Sequence, residues 1–354
     1  MLDHPEISEL YARYEALIAN GAKRARDAAA ELGVSEAELV EAKGSAGVSR
    51  ALRQDPDRGF APLLEAMTDV GEVMVLTRNE HSVHERHGQF ANINIGKIMG
   101  LVLNKTIDLR LFMNHWASGF AVEEEVKSGK RLSMQFFDHS GEAVHKIYVT
   151  AKTNRPAFEA LVDGWVSEAP EKLFVLPPKP LDADRPDAEI DIAALRADWL
   201  AMKDTHEFFG LLKKHKVGRL QALRLVGEDL SHRLDNNAVV RMLELAAAKE
   251  APIMCFVGNR GCIQIHSGPV KSIKAMGPWI NVLDPDFNLH LRTDRIAETR
   301  IVRKPTSDGI VTSLEVFDAD GVAFCMFFGV RHPGEAELDV WRAVLADLEL
   351  EAAS

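Results

Sequence analysis

Three cysteines in 354 residues are too few, and too irregularly placed, for a disulfide framework or a zinc knuckle. Cys255, Cys262 and Cys325 are odd in number and no CxxC occurs. Two of them sit in the apolar runs PIMCFV and AFCMFF, where a thiol serves as a small buried hydrophobe. That usage suits a reducing cytoplasm. No apolar run approaches the roughly 20 residues of a membrane span. The opening MLDHPEISELYARYEAL has no basic segment leading into an apolar one, so no signal peptide is expected. GxGxxG and GxxxxGK are absent, and the glycines of GNRGC and TSDG read as turn-formers. GxSxG, the nucleophile elbow, is absent too. Positive charge is also short. With 42 Lys and Arg against 53 Asp and Glu the net charge is −11, which repels nucleic acid and anionic membranes unless a local basic patch intervenes.

What is present is ordinary for a globular protein, 46% hydrophobic and 27% charged, with length for two domains. The chain contains two copies of one pattern. VMVLTRNEHSVHERHGQF from Val73 aligns with IMCFVGNRGCIQIHSGPV from Ile253, an offset of 253 − 73 = 180. The offset brings Asn79 onto Asn259, Gly88 onto Gly268, Leu109 onto Leu289, Phe137 onto Phe317 and Gly141 onto Gly321. About fourteen identities fall in roughly sixty ungapped positions, where chance gives about four. Each copy begins with apolar residues at helical spacing, as in ISELYARYEALI and HEFFGLLKKH. Each then turns to short strands such as IDLRLFM, RLSMQFFD, FNLHLRT, VTSLEVFD and AFCMFFGV, separated by turns such as HSGE and DADG. Strands that follow one another without intervening helices predict antiparallel meanders. The expected class is α+β, internally duplicated, with a helical segment and a large antiparallel sheet in each copy. The copies are assigned to 1–168 and 190–354, with a proline-rich and charged linker at 169–189.

HSVHERHG places His81, His84 and His87 three apart. Imidazole is the commonest metal ligand, but the duplicate of this stretch, CIQIH, alternates like a strand. In a strand His81 and His87 point to one face and His84 to the other, and the outer two stand about 20 Å apart. One ion cannot collect all three. A surface or packing role is expected, with a weak auxiliary metal contact left open. AAAELGVSEAELVEAKG looks like the start of a helix-turn-helix. No basic recognition helix follows it, so a helical hairpin packed on a sheet is expected, and a nucleic-acid-binding regulator is the outlying reading.

KDTHEFFGLLKKHKVGR is richer. Asp204 or Thr205 is a good N-cap, which puts His206 in the first helical turn. The positive end of a helix disfavours imidazolium, leaving a neutral ring of the kind a metal needs. Phe208, Phe209, Leu211 and Leu212 supply an apolar wall, and Lys213, Lys214, Lys216 and Arg219 form a basic cluster in an acidic chain. The set suits a flat apolar molecule with two carboxylates. It also fits an amphipathic helix with a solvated basic face.

DTHEFFGLLKKHKV, FVGNRGCIQIHSG, the run from FNLHL to RKPTSDGIVTSLEVFDADG, and VLTRNEHSVHERHG with NKTIDLRLF resemble the cytoplasmic heme-utilisation proteins. These are also called hemin-degrading factors or heme-transport proteins of the HemS, ChuS and PhuS type. The resemblance covers nearly the whole chain. It implies one heme b (iron protoporphyrin IX) in a cleft between the copies. It also implies His206 as axial iron ligand, with His215 and His232 as alternatives, and Arg110 as distal arginine beside Phe112. Arg219, Lys304 and Arg331 are then the propionate-binding cations. Met326 and Phe328 stand where the family commonly has Gln and Tyr, which alters the hydrogen bonding there and leaves the charge pairing intact. The implied function is to take heme from the cytoplasmic side of an importer and deliver it to a heme oxygenase or other heme acceptor. The alternative is a heme-degrading enzyme fed by an external electron donor.

Overall fold

The structure is a computed structural model and describes residues 4–19, 21, 25–126, 129–170, 172–332 and 334–352. The chain forms two compact units. The first comprises 1–78, 85–180 and 258–264, and the second 79–84, 181–257 and 265–354. Each has the expected α+β composition.

In the first unit an antiparallel array runs in the order Ser49–Ala51, Ser118–Val126, Gly129–Phe137, Ala143–Thr153, Gly71–Arg78. A three-stranded ladder, Ile93–Ile95, Met99–Leu103 and Asp108–Phe112, belongs to the same unit. The second unit repeats the plan with Ser231–Leu234, Glu298–Thr306, Gly309–Phe317, Ala323–Gly329 and Ile253–Gly258. Its ladder is Ile273–Met276, Trp279–Leu283 and Phe287–Arg292.

The identities shared by the copies are those the turns and cores require. Asp138 Oδ1 accepts from the backbone of Ser140 and Glu142, and Asp318 Oδ1 does the same for Asp320 and Val322. Gly141 and Gly321 close these turns at φ +75° and +76°, where a Cβ would be strained. Asn79 Oδ1 accepts from the backbone of His81 and Ser82, and Asn259 Oδ1 from Gly261 and Cys262. The amide of Asn79 donates to Phe324 O and that of Asn259 to Val144 O. These are again positions 180 apart. Leu109, Leu111, Leu289, Leu291, Phe137 and Phe317 are fully buried.

The helix-turn-helix-like segment is a helical hairpin, Ala25–Leu32 and Glu36–Ala42. Ser35 and Glu38 form a reciprocal capping box at its second helix, which satisfies two orphan helix donors. Ala37 and Val40 of that helix pack on Phe120, Val122 and Phe137 of the sheet. It is a core helix, not a free recognition helix.

The central sheet of the second unit is covered on both faces. Leu314, Val316 and Phe327 pack with Met242, Leu243, Trp341 and Val344. Val302 and Phe317 pack with Trp199, Phe208, Leu212 and Leu223. At Gly329 a Cβ would lie 2.5 Å from Trp341 Cγ, and Trp341 is fully buried with its Nε1 donating to Thr312 O. Gly329→Ala is therefore expected to overpack this core and lose about 1–3 kcal/mol. Denaturant unfolding followed by tryptophan fluorescence checks this; an unchanged midpoint contradicts it.

Candidate functional site

The second unit gathers most of the residues singled out by the sequence. The helix Glu207–His215 starts later than the Asp204 or Thr205 cap predicts: His206 is itself the capping residue and makes no side-chain cap. Asp204 is diverted to another task. Its Oδ1 accepts the His206 backbone N–H at 2.8 Å and meets the ring Nδ1 at 2.6 Å. These bonds from His206, with the positive charge of Arg331 adding to them, hold the Asp204 carboxyl below its usual range. A carboxylate on Nδ1 places the ring proton there and leaves the Nε2 lone pair for a ligand, the arrangement that orients metal-binding histidines. The His206 side chain is 90% exposed.

The alternatives are already engaged. His215 Nε2 is 2.6 Å from Asp198 Oδ2, which also holds Lys214. His232 Nε2 is 3.1 Å from Glu349 Oε1, and burial pulls its ring below the usual range.

Two residues beyond His206, Phe208 turns inward, edge-on to Trp199. Its ring carries two cations, Arg219 at 5.0 Å and Lys304 at 4.5 Å. Lys304 also lies 5.8 Å from the Phe328 ring. Arg219 opens the helix Arg219–Leu225, and its Nη2 is 3.2 Å from Met326 Sδ. The register pairs Ser313 with Phe328 and Glu315 with Met326, so these four side chains share one sheet face. Arg331 pairs with Asp308 at 3.5 Å.

Glu315 is the residue that sequence reasoning missed. It is fully buried and grips Arg219 bidentately, Nε to Oε2 and Nη2 to Oε1 both at 2.8 Å. Lys304 Nζ donates to Oε1 at 2.9 Å, as does Ser313 Oγ. Burial alone would raise this carboxyl; Arg219 and Lys304 together hold it far below the carboxylate range. Burial pulls the Lys304 ammonium down, against the support of Glu315. In SLEVF, Glu315 falls on what an alternating strand presents as its wet face. Only the helices covering that face reveal it as buried.

Arg110 and Phe112 stand in the first unit, on the strand Asp108–Phe112. Arg110 pairs with Asp108, whose carboxyl burial pushes up despite that partner. Across the ladder, Leu101 faces Arg110 and Met99 faces Phe112. Met99 and Leu101 are 57% and 36% exposed, so this strand face presents apolar side chains around one cation.

The histidine triplet has separate partners. The strand Ser82–Gln89 contains two of its members. His84 is buried with its ring 4.9 Å from Phe287, on which His266 stacks at 3.8 Å. His81 Nε2 lies 3.6 Å from Asp318, and His87 Nδ1 lies 3.9 Å from Glu72. Among the described residues no cluster of three His, Cys, Asp or Glu could hold a metal ion. All three cysteines are buried and free. Cys262 lies near Thr77 and His145, but burial pushes its thiol up to about 12 and the His145 ring down to about 3. A neutral thiol beside a neutral imidazole is no activated nucleophile. No described helix is long and apolar enough to cross a membrane.

Known proteins share this chain's sequence and fold. The family described as the haemin-degrading HemS.ChuX domain matches residues 33–165 and again 216–348. The hemin transport protein HemS of Yersinia enterocolitica is 43% identical over 341 residues, covering 96% of this chain and 97% of that protein. Among solved structures, holo-PhuS, a heme-binding protein from Pseudomonas aeruginosa, superposes with a TM-score of 0.93 at 46% identity, covering 97% of this chain and 99% of that one. The heme-degrading enzyme ChuS of Escherichia coli O157:H7 does so with a TM-score of 0.89 at 39% identity, over 97% and 99% of the respective chains. The chain belongs to the HemS.ChuX family and carries its domain twice.

Proposed function

We propose that this protein binds heme b and carries it through the cytoplasm, from a membrane importer to a heme-degrading enzyme or other acceptor. One observation carries the reading: His206 is 90% exposed with its Nδ1 held by Asp204, and two residues on in the chain the Phe208 ring bears two cations. That donor set fits the ligand. A neutral imidazole nitrogen suits heme iron, and guanidinium matches a propionate carboxylate. In this reading His206 is the axial ligand, and Arg219, Lys304 and Arg331 supply the charge facing the propionates. Met326 and Phe328 line the site. For Arg110 and Phe112, on the first unit, the proposed role rests on the family resemblance.

The test is anaerobic loading with hemin, followed by a reductant and oxygen with catalase present. A carrier is expected to show a saturable one-to-one Soret change and to yield intact heme to excess apomyoglobin. A regiospecific ring-opened product formed with catalase present would overturn the carrier reading in favour of degradation. Absence of a saturable Soret change would overturn heme binding itself.

A further inference from the structure

The cations assigned to the propionates already hold a carboxylate. Glu315 takes the Nε–Nη2 edge of Arg219 with two bonds of 2.8 Å and takes Lys304 Nζ at 2.9 Å. Ser313 adds a third type of donor to the same oxygen that Lys304 bonds. Guanidinium offers one fork per edge, so an incoming carboxylate meets Arg219 only at its remaining N–H groups. Arg219 is 28% exposed as a side chain, Lys304 3% and Glu315 0%. The arginine is thus within reach of a ligand, the lysine barely so, and the glutamate cannot swing out to water. Two cations and one resident anion leave this cluster a single positive charge.

Resting on the heme-carrier reading, we propose that Glu315 is a specificity-determining residue that competes with the propionates for Arg219 and Lys304 and so keeps the cargo releasable. A site built for retention would leave the guanidinium fork open, because a bidentate, charge-assisted pair is the strongest carboxylate contact a side chain makes. Here that contact is spent internally. The hold on the ligand then falls more heavily on the iron–imidazole bond and on apolar contact. An acceptor with a strong axial ligand of its own can break the first of these.

The experiment compares hemin with hemin dimethyl ester, which has the same iron and ring and no propionate charge. In Glu315→Gln, release of hemin to excess apomyoglobin should slow by about tenfold to a hundredfold, with release of the ester changed by less than about twofold. Equal shifts for both ligands, or faster hemin release, overturn the proposal and leave Glu315 a purely structural counter-ion. Glu315→Gln leaves Lys304 buried beside an uncharged amide, a change that puts the fold itself at risk. Lys304→Met and the double variant Lys304→Met/Glu315→Gln cover that case, since the double variant removes both buried charges. The acid-to-ester ratio of residence times should rise about tenfold or more from the single to the double variant, and an unchanged ratio overturns the proposal. Failure of the underlying reading looks different: the wild-type protein would then give no saturable Soret change with either ligand.

Discussion

His206→Ala should lower hemin affinity by on the order of a hundredfold, about 2.7 kcal/mol, and shift the Soret band of whatever complex remains. The ring is the exposed member of the three candidate histidines in the second unit, 90% exposed against 10% for His215 and 22% for His232. Its geometry is set from behind by Asp204, 2.6 Å from Nδ1. Asp204→Ala should therefore weaken binding by about 10- to 100-fold without removing the ligand atom, as loss of an orienting partner does at metal sites. The two substitutions act on one element, so their effects should not add. Spectroscopic titration of both single variants and the double variant checks this. An unchanged Soret position in His206→Ala would reject the ligand assignment, and full additivity would reject the role given to Asp204. The fold should survive: neither side chain is buried, His206 makes no side-chain cap, and substitutions at exposed positions cost little.

How far this site could be read without coordinates depended on whether one strand or helix contains the signal. The duplication was legible because turn chemistry and core positions recur at a fixed offset. Asp138 and Asp318, or Asn79 and Asn259, do the same hydrogen-bonding work in each copy. The strand character of HSVHERHG followed from its duplicate for the same reason. The helix start at His206 was misjudged by a residue or two because Asp204 has two uses for its carboxylate. Capping a helix and orienting an imidazole look identical in the sequence DTHE. Glu315 was invisible for a deeper reason. Period-two alternation tells which residues share a face and not whether that face is wet. Burial here comes from helices spread over residues 192–225, contacts that no local pattern encodes.

The same blindness applies to Glu36, where the largest stability effect is expected. In SEAELVEA it reads as an exposed first-turn acid, which is favourable at a helix N-terminus. In the structure it is 2% exposed and held by both Arg78 and Lys146. Burial would raise its carboxyl, but the two cations outweigh it and bring the value from the ordinary 4.5 down to about 2. A carboxyl lower in the folded state than in the unfolded one stabilises the fold above the unfolded value, and this contribution fades as pH falls toward the folded one. The contribution here is about 3 kcal/mol at neutral pH, lost between about pH 4.5 and about pH 2. Glu36→Gln should therefore lose a similar amount at neutral pH, since it leaves two cations without their buried partner. The gap from wild type should narrow steadily below pH 4.5, which urea unfolding at a series of pH values measures. Parallel stability curves across this range would show that folding does not lower the Glu36 carboxyl. Removing both members of one pair separates charge from packing. Glu36→Gln/Lys146→Met should be more stable than Glu36→Gln alone, because the uncompensated buried ammonium is then gone. Arg78, which is 11% exposed as a side chain, can still reach water with its charge.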